Sequence, residues 1–168
     1  MSETERIAAS THSEKVLAGK YLTFALGKEQ YGIGILKVRE IIGVMEITVV
    51  PHTPHYVKGV INLRGRVIPV LDLRLKFGME AKKYNERTCV IVVDLLGSAG
   101  PVQVGMLVDS VSEVVNVGEQ EIEPPPSFGG SEASGADILG MAKVKGAVII
   151  LLDVDQVIGI DRLEGSLV

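Results

Sequence analysis

Gly59-Val-Ile-Asn-Leu-Arg-Gly-Arg-Val-Ile-Pro-Val-Leu-Asp-Leu73 aligns without a gap on Gly140-Met-Ala-Lys-Val-Lys-Gly-Ala-Val-Ile-Ile-Leu-Leu-Asp-Val154, at a shift of 81 residues. Self-similarity of this kind marks one structural unit used twice. In the first copy Asn62-Leu-Arg-Gly65 separates the apolar pairs Val60-Ile61 and Val67-Ile68, so it is expected to form a hairpin tip, with Gly65 relieving the cost of a positive φ. Pro69 lacks an N–H donor, which predicts an edge or bulged position in the strand that follows. Ile150 stands at the matching place, so the copies are not interchangeable.

Upstream, Gly32-Ile33, Ile35, Val38 and Glu40-Ile41-Ile42 repeat as Gly105-Met106, Val108, Val111 and Glu113-Val114-Val115 at a shift of 73. The difference of eight residues falls between Val115 and Gly140, where the acidic, Pro-rich stretch 121–135 reads as an inserted irregular loop. An apolar strand precedes each copy, Tyr21–Leu26 and Cys89–Leu95. Leu22, Phe24 and Leu26 alternate with Tyr21, Thr23 and Ala25, the period of a half-buried strand, and residues 27–30 supply a turn. Ile35 to Val38 has room for one helical turn before a strand through Glu40–Val44, because the β-branched residues and Gly43 oppose a longer helix.

Each unit therefore reads as strand, turn, strand with a short helical turn, strand, loop and hairpin. Short strands with regular turn signals predict small closed barrels, which remove exposed strand edges. The fold class is all-β, two barrels with short helical segments only. The expected organisation is a leader over 1–18 without fixed structure, one domain over 19–159 and a tail over 160–168. Within the domain, the two barrel subdomains span about 19–84 and 85–158 and exchange terminal strands.

Composition narrows the function. Hydrophobic residues make up 46% but aromatics only 4%, with no Trp, so the core is built from Val, Ile and Leu, which suit pleated sheets. A net charge of −4 gives no basic face to reward phosphates, which argues against nucleic acid. The apolar runs are broken by Gly, Pro and charge well short of the roughly 18 residues of a spanning helix, so direct membrane insertion is not expected. No secretory signal opens the chain, and a cytoplasmic protein is expected. The single cysteine, Cys89, lies in an apolar run and reads as a buried, inert thiol.

Candidate chemistry is thin. His52 and His55 stand three apart, but no Cys, Asp or Glu nearby completes a metal-ligand set, so both read as loop histidines. Asp72 and Asp153 invite an acid–base proposal. Their equivalence in the repeat favours a structural role, accepting backbone N–H groups at a strand end. Gly32-x-Gly34 lacks the rest of a phosphate loop. No catalytic residue, cofactor or metal is assigned, and the protein is read as a non-enzyme.

Charge placement is the remaining signal. Lys58 to Lys76 holds five basic residues against Asp72, whereas Asp109 to Asp137 holds seven acids and no base. Either these are solvated faces or they are two unlike docking surfaces. Arg64 is either a solubilising hairpin charge or a fork that anchors a partner's carboxylates, and the repeat has Lys145 in its place.

Tyr21-Leu-Thr-Phe-Ala-Leu-Gly27, Tyr31-Gly-Ile33, Ile35-Leu-Lys-Val-Arg-Glu-Ile41, Val57-Lys-Gly-Val-Ile-Asn-Leu-Arg-Gly65, Val67-Ile-Pro-Val-Leu-Asp-Leu-Arg74 and Lys76-Phe-Gly78 resemble the CheW family of bacterial chemotaxis coupling proteins. The similarity runs from about Gly19 to Gly159. It implies two intertwined SH3-like five-stranded barrels and a non-catalytic scaffold that links the cytoplasmic tips of methyl-accepting chemotaxis receptors to the histidine kinase CheA through the kinase's CheW-like regulatory domain. Carried over by motif, receptor coupling falls on Val38, Glu40 and Arg64, with Lys58 as an addition. The kinase-facing surface transfers less directly. Val111 and Val114 are either contributors to partner binding or plain core valines. The resemblance assigns no role to the acidic loop 119–135.

Overall fold

The computed structural model describes residues 18–125 and 137–159, so the leader through residue 17, the loop from 126 to 136 and the tail from 160 lie outside the described residues. The first unit contributes β1 (Gly19–Leu26), β2 (Glu29–Gly34), β3 (Val38–Gly43), β4 (Val57–Leu63), β5 (Arg66–Asp72) and the short helix α1 (Leu73–Lys76). The second contributes β6 (Cys89–Gly97), β7 (Gly100–Val108), β8 (Ser110–Val117), the two-residue β9 (Ile122–Glu123), β10 (Ile138–Val144), β11 (Ala147–Leu152) and α2 (Val154–Ile158). A 3-10 turn over Ile35–Lys37 takes the place of the expected helical turn, and another spans Glu119–Glu121.

These strands form two sheets, ordered β8-β1-β2-β11-β10-β9 and β3-β6-β7-β5-β4, the framework of two SH3-like subdomains. Each sheet combines strands from both copies of the repeat. The hairpin β1–β2 joins strands of the second unit, pairing with β8 on one side and in parallel with β11 on the other. The hairpin β6–β7 does the same with β3 and β5 of the first unit. The chain changes sheet at matching places, between β2 and β3 and between β7 and β8. The first sheet carries one strand beyond the expected five, the short β9.

Side-chain burial follows from this arrangement. Ile61, Leu63, Ile68, Val70, Val90, Val92 and Leu107 fill the core of the β3–β7 subdomain. Tyr21, Val115, Val117, Ala142, Ile149 and Leu151 fill that of the other. A third and larger cluster, including Leu22, Phe24, Leu26, Ile91, Val93, Met106 and Leu152, lies between the sheets. In β6, Val90 and Val92 face the subdomain core while Ile91, Val93 and Leu95 face this shared layer. Fully burying one such side chain stabilises by about 1.5–3 kcal/mol, so the shared layer holds the two sheets against each other.

Burial on both faces corrects the reading of β1 as half-buried. Tyr21, Leu22, Thr23 and Phe24 are all buried. Thr23 is tolerated there because its Oγ1 donates to the carbonyl of Glu113 at 2.7 Å and accepts from that residue's N–H at 3.1 Å. Pro69 is also not on an edge strand, since β5 runs between β7 and β4. Its partner Val60 donates its N–H outward to the carbonyl of Thr48, so the Val60–Pro69 pair needs no donor from Pro69 on that side. Cys89 is half-buried rather than buried, with Sγ 3.2 Å from the carbonyl of Arg87.

Two equivalent glycines allow the cross-copy parallel pairings. A Cβ on Gly105 would stand 3.4 Å from Cγ2 of Val70 on the parallel partner β5 and 2.7 Å from Cγ1 of Val90 on the hairpin partner β6, and one on Gly32 would stand 3.1 Å from Cδ2 of Leu151 on the parallel partner β11. Glycine at these strands permits the close approach of neighbouring strands.

Candidate functional site

Asp72 and Asp153 have the structural role their equivalence predicted. Each is the N-cap of the short helix after its hairpin, accepting from the N–H of Leu75 and of Gln156 respectively, both at 3.3 Å. The Asp72 carboxylate has a second contact, accepting from the Tyr84 hydroxyl at 3.3 Å. Burial first, and then the neighbouring Asp72 carboxylate, pushes the Tyr84 phenol up to about 12. His52 and His55 are both exposed. Among the described residues, no group of three His, Cys, Asp or Glu side chains is placed to hold a metal ion.

Both sheet-changing connections are held by an ion pair to a short helix. Between β7 and β8, Asp109 accepts from Arg74 of α1 at 2.7 Å and from the N–H of Gly27 at 2.8 Å, with Lys82 at 3.8 Å. Between β2 and β3, Lys37 pairs with Asp155 of α2 at 2.7 Å. Arg74 and Asp155 are equivalent in the repeat, so the polarity of the pair is reversed between the copies. The Arg74 and Asp109 side chains are only 16% and 10% exposed, whereas Lys37 and Asp155 are half-exposed. Part of the basic excess read between Lys58 and Lys76 is thus engaged internally, and Lys76 sits over the Tyr56 ring, 4.2 Å from its centroid.

Another cluster of predicted site residues bridges the two ends of the β3–β7 sheet order. Arg64 and Gly65 form the two-residue turn between β4 and β5, both with positive φ, +53° and +86°, the condition of a I′ turn. Asn62 Oδ1 accepts from the N–H of Gly65 at 2.8 Å and fixes the turn. Positive φ at Gly65 was expected, but at Arg64 it was not, and Lys145 matches it at +50°. From this turn Arg64 Nη2 donates to Glu40 Oε1 on β3, the strand at the other end of the sheet order.

β3 is irregular at this point. Its pairing with β6 slips between Val38 and Glu40, and β8 pairing with β1 is irregular at the equivalent Val111–Val114. A bulge re-aims side chains and ends regular pairing. Here Val38 turns into the shared apolar layer, Arg39 is exposed near Asp94, and Glu40 reaches Arg64. A second matched bulge falls at Lys58 and Leu139, before Gly59 and Gly140.

Of the four residues assigned to receptor coupling, the structure joins Glu40 and Arg64 directly. Val38 is adjacent in β3 but half-buried, and Lys58 lies at the start of β4, about 20 Å along the strand from Arg64. Val111 packs against the shared layer, whereas Val114 is 49% exposed on β8, an edge strand. Sequence reasoning missed Ile41, the counterpart of Val114 on the edge strand β3 and likewise exposed. The repeat alignment already set those two side by side.

A CheW-like domain model matches residues 20–161. The chain is 38% identical over 144 residues to the chemotaxis protein CheW of Klebsiella aerogenes, covering 86% of this chain and 84% of that one. It is 34% identical to the chemotaxis protein CheW of Rhizobium meliloti, covering 86% and 90%. The crystal structure of the scaffolding protein TtCheW from Thermoanaerobacter tengcongensis superposes with a TM-score of 0.71 at 36% identity, covering 81% of this chain and 89% of that one. With the repeat, the paired sheets and these relatives in agreement, the chain belongs to the CheW-like family.

Proposed function

We propose that this protein is a non-catalytic chemotaxis scaffold that couples methyl-accepting chemotaxis receptors to the histidine kinase CheA. The family and its named scaffolding relatives support the adaptor role. The observation that carries the finer reading is the Arg64–Glu40 pair, which presents an Arg fork and an acid beside the exposed edge of β3. The Arg64 side chain is 70% exposed, so its guanidinium retains donors for a partner's carboxylates or carbonyls.

In this reading Val38, Glu40 and Arg64, with Lys58 at the far end of β4, bind the receptor's cytoplasmic tip. Val111 and Val114 contribute to the contact with the kinase's CheW-like regulatory domain, Val114 through its exposed side chain and Val111 by holding β8 in register. The protein works in the cytoplasm, recruited to membrane receptor arrays. Among the described residues no helix is long and apolar enough to cross a membrane. The test is a pull-down with the receptor tip and the kinase regulatory domain, separately and together. Binding to each alone and a three-part complex with both is expected. Failure to bind either one overturns the reading.

A further inference from the structure

Each unit of the repeat carries two like charges where the units meet. The first has Lys37 at its sheet-changing connection and Arg74 on its helix, and the second has Asp109 at its connection and Asp155 on its helix. Both ion pairs therefore run between units, Lys37 to Asp155 and Arg74 to Asp109. The strand pairing does not choose that arrangement. Gly32 lies on Leu151 and Gly105 on Val70 in parallel pairs of the same register, and the outer pairs Phe24–Val111 and Val93–Val38 also correspond. The hairpin β1–β2 thus fits the β3–β5 strands of another chain's first unit by the same register that it uses on the second.

A unit cannot supply its own partner strands. Val108 ends β7 opposite Cys89, and β8 placed on its own β6 as β3 is placed would set Val111 opposite Val93, on the far side of that strand. The two positions are roughly 16 Å apart. The chain from Val108 to Val111 spans at most about 11 Å. Each unit must therefore pair with the other unit of its own chain or with a unit of a second chain, and short connections of this kind invite exchange between molecules. Pairing of like units would set Lys37 against Arg74 in one body and Asp109 against Asp155 in the other, each contact twice. Asp109 is only 10% exposed, so water screens its share of the repulsion least.

We propose that the reversed charges at the two connections are a pairing code, which holds unlike units together and bars the dimer in which two copies of the chain pair like unit with like. Specificity rests on repulsion in the wrong complex as well as attraction in the right one. The inference stands independently of the partner assignment.

The test is the full-length variant Lys37→Glu/Asp155→Arg. It reverses one half-exposed pair and leaves Arg74–Asp109 untouched, so the monomer keeps both ion pairs, while all four repulsions of the like-unit dimer become attractions. Wild type and variant are refolded from urea at up to about 1 mM, near the effective concentration that a short tether gives, and followed by sedimentation velocity. The variant should dimerise about a hundredfold more strongly than wild type, a conservative figure for four contacts each worth up to about tenfold. In the dimer, Overhauser signals from the Gly32 α-protons to the Val70 methyls should appear, in place of those to Leu151 in the monomer. A variant as monomeric as wild type overturns the proposal, as does a dimer that shows only Gly32–Leu151 signals. Failure of the variant to fold, or a wild-type dimer with Gly32–Val70 signals, overturns it too.

Discussion

Arg64, in the turn between β4 and β5, donates to the carboxylate of Glu40 on β3, so one ion pair joins the two ends of a five-stranded sheet. Because the Arg64 side chain is largely exposed, the pair contributes little to stability, about 1 kcal/mol or less, and salt screens it. Arg64→Glu should therefore lower the thermal midpoint only slightly while weakening receptor-dependent kinase activation. The double variant Glu40→Arg/Arg64→Glu restores the ion pair with reversed polarity. If Arg64 serves the partner, melting of the double variant returns to the wild-type value but coupling does not. A double variant that couples normally would reduce the pair to a structural brace.

The two connections between sheets make an internal comparison. Removing Arg74 leaves the largely buried Asp109 with only the Gly27 N–H and the more distant Lys82, a loss of about 1.5–3 kcal/mol, whereas losing the half-exposed Lys37–Asp155 pair costs about 1 kcal/mol or less. Urea denaturation of Arg74→Ala and Lys37→Ala should separate the two by that margin. Equal losses would show that burial at Asp109 does not govern the interaction.

Gly59 is the backbone position least able to change. Its φ is +142°, and a Cβ there would lie 2.0 Å from the carbonyl oxygen of Thr48, which is held in the Thr48–Val60 bridge. Gly59→Ala should destabilise by about 3 kcal/mol or more, through strain and displacement of backbone. Gly32→Ala, whose new Cβ would meet the movable end of Leu151 at 3.1 Å, should cost less. Equilibrium unfolding of the two variants measures the difference.

Tyr84 and Tyr21 give a prediction in the alkaline range. Burial raises Tyr21 from 10.0 to about 12, and burial together with Asp72 does the same for Tyr84. An unfolded tyrosine ionises near pH 10 and these two only near pH 12, so the folded state binds more protons in between. Their contribution to stability is intact below pH 10 and is lost as pH rises towards 12. Phenolate absorbance during a pH titration should show Tyr21 and Tyr84 ionising late, with Tyr31 also raised by its burial and then by Glu29, and Asp72→Asn should move Tyr84 down. No change in that variant would contradict the Asp72–Tyr84 contact.

Much of this was legible in the sequence, and the exceptions have physical reasons. Gapless recurrence of Gly59–Leu73 at 140–154 disclosed the hairpins, and the matched Asp72 and Asp153 disclosed their caps. Long-range pairing is a different matter, because Gly32 pairs with Leu151 and Val70 with Gly105, and nothing local in either strand names a partner so distant. The same gap explains β1, whose alternation suggested one buried face before the second sheet was there to cover the other. Positive φ at Arg64 escaped because Arg is not a residue favoured in that conformation. Glu40 and Arg64 were each picked out by motif, but their contact depends on the sheet bringing its two ends together, which no short stretch encodes.

Coupling itself is measured most directly by kinase autophosphorylation in vesicles carrying a methyl-accepting receptor, with CheA and with or without this protein. The account predicts that strong receptor-dependent activity requires the protein and is largely lost with folded Arg64→Glu. Equal activity with and without the wild-type chain would contradict it.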